Sequence, residues 1–197
     1  MNEFERIDDM LNHEPIDRPP VICPMHTATV ALMKVANAFY PEVQDDPIKM
    51  ARLAMASHDI AGFENTRVPF DETVEVSAYG ALTGRKGAMR QPLVLHHQVG
   101  GPEDVDRLQV PDPRTDGKVS VVLEAVRFLN QERRDVPVFL GIISPLMLAM
   151  QLRGDHETML DMTNDPHLVK SLLNKTTSFI LEYAREAVEA GADQLVL

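Results

Sequence analysis

Apolar residues Phe4, Ile7, Met10 and Leu11 recur at helical spacing within Met1–His13, and Pro15, Pro19 and Pro20 then break the pattern. The run Val21-Ile22-Cys23 that follows reads as a short buried strand. A second unit opens at Asp46-Pro47, a good N-cap followed by proline at the first helical position. Ile48, Ala51, Met55 and His58 share one face of this helix, Gly62 suits its left-handed end, and Thr66 to Phe70 reads as a strand. Further on, Val119 to Gln131 reads as a helix. Val136 to Ile142 is apolar throughout, as expected for a strand covered on both faces. Asp165-Pro166 opens a long helix with Leu168, Leu172, Phe179, Tyr183 and Ala187 on one stripe, which Val169, Leu173, Ile180 and Ala184 widen. Gly191 closes it, and Gln194 to Leu197 begin another strand.

Repeated helix-then-strand units imply parallel strands joined by helical crossovers. The stretch from Glu72 to Val99 differs. Val74, Val76 and Ala78 alternate, Gly84-Arg85-Lys86-Gly87 makes a turn, and Leu93 and Leu95 alternate on the way back. This predicts a β-ribbon inserted over about 72–99. The proline-rich Val110-Pro111-Asp112-Pro113 leads into the next helix. The fold class is therefore α/β with about four core strands, half of the eight that a closed (β/α)8 barrel needs in about 250 residues. The last residues, Val196-Leu197, sit inside an apolar strand with an open edge. Either the sequence is a fragment or another chain completes the sheet.

Composition narrows the function. The 197 residues are 44% hydrophobic and 25% charged, an ordinary globular balance. A formal net charge of -11 argues against nucleic acid as a partner, since a phosphate backbone wants clustered Lys and Arg. Cys23 is the one cysteine, so no disulfide forms within the chain, which fits a reducing compartment. No apolar run approaches the roughly 20 residues of a membrane span, and MNEFERIDDM is unlike a signal peptide. The expected location is cytoplasmic.

Particular segments carry a resemblance. DVPVFLGIISPLMLAMQLRGDHETMLDMTNDPHLVKSLLNKTTSFILEYAREAVEAGADQLVL, from Asp135 to Leu197, shows a strand ending in Gly, a Pro-containing turn, a helix, a DP-type helix and then E-A-G-A-D before a strand. DRPPVICPMH and HDIAGFENTRVPFDETVEVSAYGA look like a first strand and a second strand with its ribbon. Arg90-Gln91-Pro92 and EAVRFLN, Glu124 to Asn130, add to the pattern. Together they resemble the first half of uroporphyrinogen-decarboxylase-like (β/α)8 TIM barrels, from about Glu5 to Leu197. The branch most similar is the methylcobamide:coenzyme M methyltransferases. The resemblance implies a single, incomplete barrel domain. Its methyl donor would be methylcobalamin on a partner corrinoid protein and its acceptor a small thiol such as coenzyme M. Zinc is expected for that branch, because it makes the thiol a nucleophilic thiolate. The family's zinc ligands, a His-x-Cys pair and a later Cys in the second half of the barrel, are absent here.

Two other outcomes stand beside methyl transfer. Uroporphyrinogen decarboxylases hold substrate carboxylates with an Arg-rich segment after the first strand. Here that segment is Met25-His26-Thr27-Ala28-Thr29, without Arg. Asp71, nine residues before Gly80, does match the family's catalytic Asp. The third outcome is a non-catalytic half-barrel that binds corrinoid protein or pairs as a homodimer.

The residues that follow the barrel strands are the site candidates, because active sites form at that face. His26 follows the first strand, on that face, and is a candidate to line a pocket. Cys23 and His26 are spaced as a ligand pair, but two ligands do not make a zinc site, and Cys23 reads as a core residue. Asp71 follows the second strand and would orient a substrate amine or bridge a loop. Ser144-Pro145 follows the third; its hydroxyl would cap the next helix or meet an anion such as a sulfonate. Consecutive His96 and His97 point to opposite sides of a strand and read as surface residues. Arg85 and Lys86 read as a solvated turn. Met147, Met150, Met159 and Met162 suit core packing, with a flexible docking surface as the other use. The open strand predicts that the isolated chain self-associates through Gln194 to Leu197, and a strictly monomeric species by light scattering at high concentration would refute this.

Overall fold

The computed structural model describes residues 1–84 and 89–197. The helices are α1 (Glu3–Leu11), α2 (Val30–Ala36), α3 (Pro47–Asp59), α4 (Val74–Ala78), α5 (Pro102–Arg107), α6 (Val119–Glu132), α7 (Pro145–Arg153), α8 (Asp155–Asn164) and α9 (Pro166–Ala190). The strands are β1 (Thr66–Val68), β2 (Thr83–Gly84), β3 (Leu93–Val94), β4 (Val138–Gly141) and β5 (Gln194–Val196). Two compact units result. One comprises Met1–Phe70, Val121–Gly141 and Ala187–Val196; the other comprises Asp71–Ser120, Ile142–Glu186 and Leu197.

The first unit holds a parallel sheet in the order β1-β4-β5. Thr66 lies opposite Val138, and Phe139 opposite Gln194. Every residue of β1 and β4 is buried, as a covered parallel sheet requires. The N-cap of α3 forms as its sequence predicts: Asp46 Oδ1 accepts from Ile48 N at 2.9 Å and Lys49 N at 3.0 Å. Its buried stripe is Met50, Leu53, Ala54 and Ser57. Ile48, Met55 and His58 are only half-buried beside it, so the core face is turned from the expected one, and Ala51 is common to both.

The expected first strand at Val21-Ile22-Cys23 does not form as a regular strand, and Val21 is exposed. Pro19, Pro20 and Pro24 remove the amides a ladder would use. Side chains take their place. Glu64 N donates to Val21 O at 2.7 Å, and Val21 N returns a bond to Glu64 Oε1 at 2.8 Å. Cys23 N donates to Asn65 Oδ1 at 2.9 Å, while Asn65 Nδ2 donates to Cys23 O at 3.1 Å. Glu64 also pairs with Arg6 of α1 and with Arg18, and Arg6 Nε binds Asp17 at 2.8 Å. Burial alone would raise the Glu64 carboxyl, but the bonds from Arg18, Val21 N and Arg6 outweigh it and hold it low. The Arg6 hydrogen bond holds Asp17 down to about 2.

In the second unit, the alternating Val74, Val76 and Ala78 form α4 rather than a ribbon arm. Val74, Glu75 and Val76 are all buried, so no polar face marks the helix in the sequence. Among the described residues the ribbon consists of Thr83 opposite Val94 and Gly84 opposite Leu93. Arg85, Lys86 and Gly87 of the expected turn lie outside the described residues. The long α9 buries its expected stripe. Phe179 meets Tyr79 edge-on at 5.4 Å between ring centroids, and Tyr79 Oη donates to Lys175 O at 3.2 Å.

The Arg6–Glu64–Asp17 cluster predicts a pH signature. Carboxyl groups held below their ordinary values contribute stability that is complete above about pH 5 and lost as pH falls through the folded values. Arg6→Met is expected to lower the urea midpoint at pH 7. The gap to wild type should close as pH falls from about 5 toward 2. A gap that stays constant over that range would refute the cluster's role.

Candidate functional site

Arg67 is the central residue of β1 and is only 8% exposed. Its guanidinium reaches past the carboxyl end of the strand and gathers the chain there. Nε donates to Pro24 O at 3.0 Å, while Nη1 donates to Pro69 O and to His26 Nδ1, the latter at 3.0 Å. Space for it is made by the adjacent strand. A Cβ on Gly141 would lie 2.0 Å from Arg67 Nη2, so any side chain at the end of β4 would displace the guanidinium from this position. The sequence shows Arg67 as one charged residue inside an apolar strand. That anomaly is the signal that points to it, and the reading of candidates by strand ends passes it over.

His26 is half-buried beside Arg67. The next residue, Thr27, is 4% exposed, and its hydroxyl has no hydrogen-bond partner among the described residues. Cys23 is half-buried rather than core, and its thiol donates to Met25 O at 3.7 Å. The structure therefore does not join Cys23 to His26 as a metal pair. Among the described residues, no group of three or more His, Cys, Asp or Glu comes together to hold a metal.

The other candidates lie in the second unit. Asp71 is 3% exposed, and its Oδ1 accepts from Thr73 N at 2.9 Å and Thr73 Oγ1 at 2.7 Å. This is an Asx-type turn that leads the chain into α4. Ser144 caps α7, its Oγ accepting from Met147 N at 3.2 Å, with Pro145 in the first turn. One residue earlier, Ile143 N donates to the buried Glu75 Oε1 at 3.0 Å. Glu75 thus ties α4 to the segment that leads into α7, a link that a ribbon over this stretch would not make. His96 and His97 are exposed, as expected for surface residues. His97 Nδ1 donates to Gln151 O at 2.8 Å, at the rim of a cavity of about 650 Å³ lined also by Glu72, Met147, His156 and Glu157.

A profile of the uroporphyrinogen decarboxylase (URO-D) family matches residues 2–197. The chain belongs to the uroporphyrinogen decarboxylase family. It is 35% identical to the methylcobamide:CoM methyltransferase MtbA of Methanosarcina mazei, over 98% of this chain and 57% of that protein. With the methylcobamide:CoM methyltransferase MtaA of Methanosarcina barkeri the identity is 31%, over 100% of this chain and 59% of the relative. A solved methyltransferase from Methanosarcina mazei superposes with a TM-score of 0.92 at 34% identity, covering 99% of this chain and 58% of that one. The chain thus spans well under two thirds of the length of these relatives. Its parallel β1-β4-β5 sheet is part of an α/β barrel of the uroporphyrinogen decarboxylase type. No helix among the described residues is long and apolar enough to cross a membrane.

Gly141→Ala tests the packing at the end of β4. The added methyl group forces the Arg67 guanidinium off its bonds to Pro24, His26 and Pro69. The expected loss is about 2 kcal/mol of stability by urea unfolding. An unchanged midpoint would show that the guanidinium relocates without cost.

Proposed function

We propose that this chain is the amino-terminal part of a methyltransferase that moves a methyl group from a methylated corrinoid protein to a small thiol such as coenzyme M. The likeness to MtbA along 98% of the chain carries this reading. In such a transfer the thiolate attacks the methyl carbon. The sulfur–carbon bond forms as the carbon–cobalt bond breaks, and its electron pair stays on cobalt. Zinc, when bound in this family, supplies the thiolate by lowering the thiol pKa. The described residues of this chain do not fit a zinc site. The sole cysteine turns its thiol to a backbone carbonyl, and no three ligands converge.

The work of this chain is then to shape and orient. Arg67 and His26 stand at the carboxyl end of β1, where barrel enzymes place substrate. Asp71 holds the turn that follows β1. Ser144 organises the start of α7, and its O–H proton suits the sulfonate of coenzyme M. The partners are a corrinoid protein and the thiol. Either a second copy of the chain or a carboxyl-terminal half completes the barrel. The location we infer is the cytoplasm, where a single free thiol stays reduced.

The protein produced from its native gene should convert methylcobalamin and coenzyme M to methylated thiol, followed by loss of the methylcobalamin spectrum. Uroporphyrinogen should be left unchanged. Consumption of uroporphyrinogen with methylcobalamin untouched would replace this reading with the decarboxylase one, in which Asp71 faces the pyrrole nitrogens.

A further inference from the structure

We propose that the His58 imidazolium is a proton-operated latch between the first turn of α1 and the carboxyl end of α3, closed in mildly acidic medium and released as the medium turns alkaline. The device is independent of the proposed activity.

Both ring nitrogens of His58 face carboxylate oxygens. Nε2 lies 3.1 Å from Glu3 Oε1 of α1, and Nδ1 lies 3.0 Å from Asp59 Oδ1. A carboxylate only accepts, and a neutral imidazole has a single N–H. The neutral ring can therefore hold one of the two carboxylates and must set a lone pair against the other. The imidazolium donates to both. Its place favours the charge as well, because His58 is in the last turn of α3, where the helix carbonyls attract a cation. Glu3 Oε2 is buried and has no hydrogen-bond partner among the described residues, so the charge of that carboxylate is met through Oε1 and the His58 proton. On the other side, Asp59 Oδ1 also accepts from Arg133 Nη1 at 3.0 Å, and Arg133 Nε pairs with Asp135 at 3.0 Å. Charges thus alternate along Glu3, His58, Asp59, Arg133 and Asp135, from α1 across α3 to the residues just past α6. His58 is the member of this row that changes charge near neutral pH.

Partial burial works against the charged ring, and so does Arg133. The bonds to Asp59 and Glu3 outweigh both and raise the His58 value above the ordinary one. A histidine raised in this way contributes stability that is whole below its unfolded value of about 6.5 and lost as pH rises through the folded value. The Arg6–Glu64–Asp17 cluster in the next turn of α1 loosens in the opposite direction, on acidification, so the two ties are separable.

Proton NMR of the imidazoles, with His58 assigned through His58→Gln, should show His58 titrating above about pH 6.5 in the wild-type protein and at lower pH in Glu3→Gln. Hydrogen exchange of the α1 amides from Arg6 to Leu11, corrected for the intrinsic pH dependence of exchange, reads the latch itself. Their protection should fall about fivefold between about pH 6 and pH 9 in wild type, and stay level over this range in Glu3→Gln and His58→Gln. A His58 titration at or below about pH 6.5, or one that Glu3→Gln leaves in place, would overturn the latch. So would α1 protection that is level with pH in wild type, or a fall that persists in both variants.

Discussion

Buried polar groups must find partners, and the segment from Glu64 to Phe70 meets that demand for the proline-rich stretch beside β1. Glu64, Asn65, Thr66 and Arg67 are all buried. Each spends its side chain on a different neighbour. Glu64 holds the basic groups of α1 and of Arg18, Asn65 pairs both backbone groups of Cys23, and Arg67 takes carbonyls at Pro24 and Pro69. Phe70 closes the series by accepting from Tyr40 Oη at 2.7 Å. A proline-rich stretch that cannot ladder is thereby held beside β1 by side chains. The loop that carries His26 inherits its position from that arrangement.

The same economy explains why so few residues define the candidate site. Arg67 is at once a structural tie and the partner of His26, so the strand that supports the site also supplies part of it. Placing such a group on a strand gives more exact positioning than a loop offers.

Much of the fold was legible. The Asp-Pro starts of α3 and α9, the apolar run of β4 and the apolar stripe of α9 all appear as local patterns, because caps and periodicity are encoded within a few residues of each other. Two misreadings share a physical cause. Val74, Val76 and Ala78 alternate like a strand, yet they belong to α4, whose first three residues are all buried, and five residues are too few to show a helical period. Val21 to Cys23 looks like a strand by composition. Its backbone partners, however, are Glu64 and Asn65, mostly through their side chains and more than forty residues away, which no local pattern reports.

By itself the sequence determined the helix-strand alternation of α3, β1, α6, β4, α9 and β5, the parallel α/β class, the family, and the positions of Asp71 and Ser144 after β1 and β4. Those follow from short-range capping, hydrophobic periodicity and residue identity. Only the tertiary structure decided what these residues do: that Ser144 caps α7, that Asp71 holds a turn, and that Arg67 grips His26 across a space kept open by Gly141. The reason is that hydrogen-bond partners of buried groups are chosen in space. Arg67, His26 and Gly141 lie far apart along the chain and meet only once β1 and β4 stand side by side.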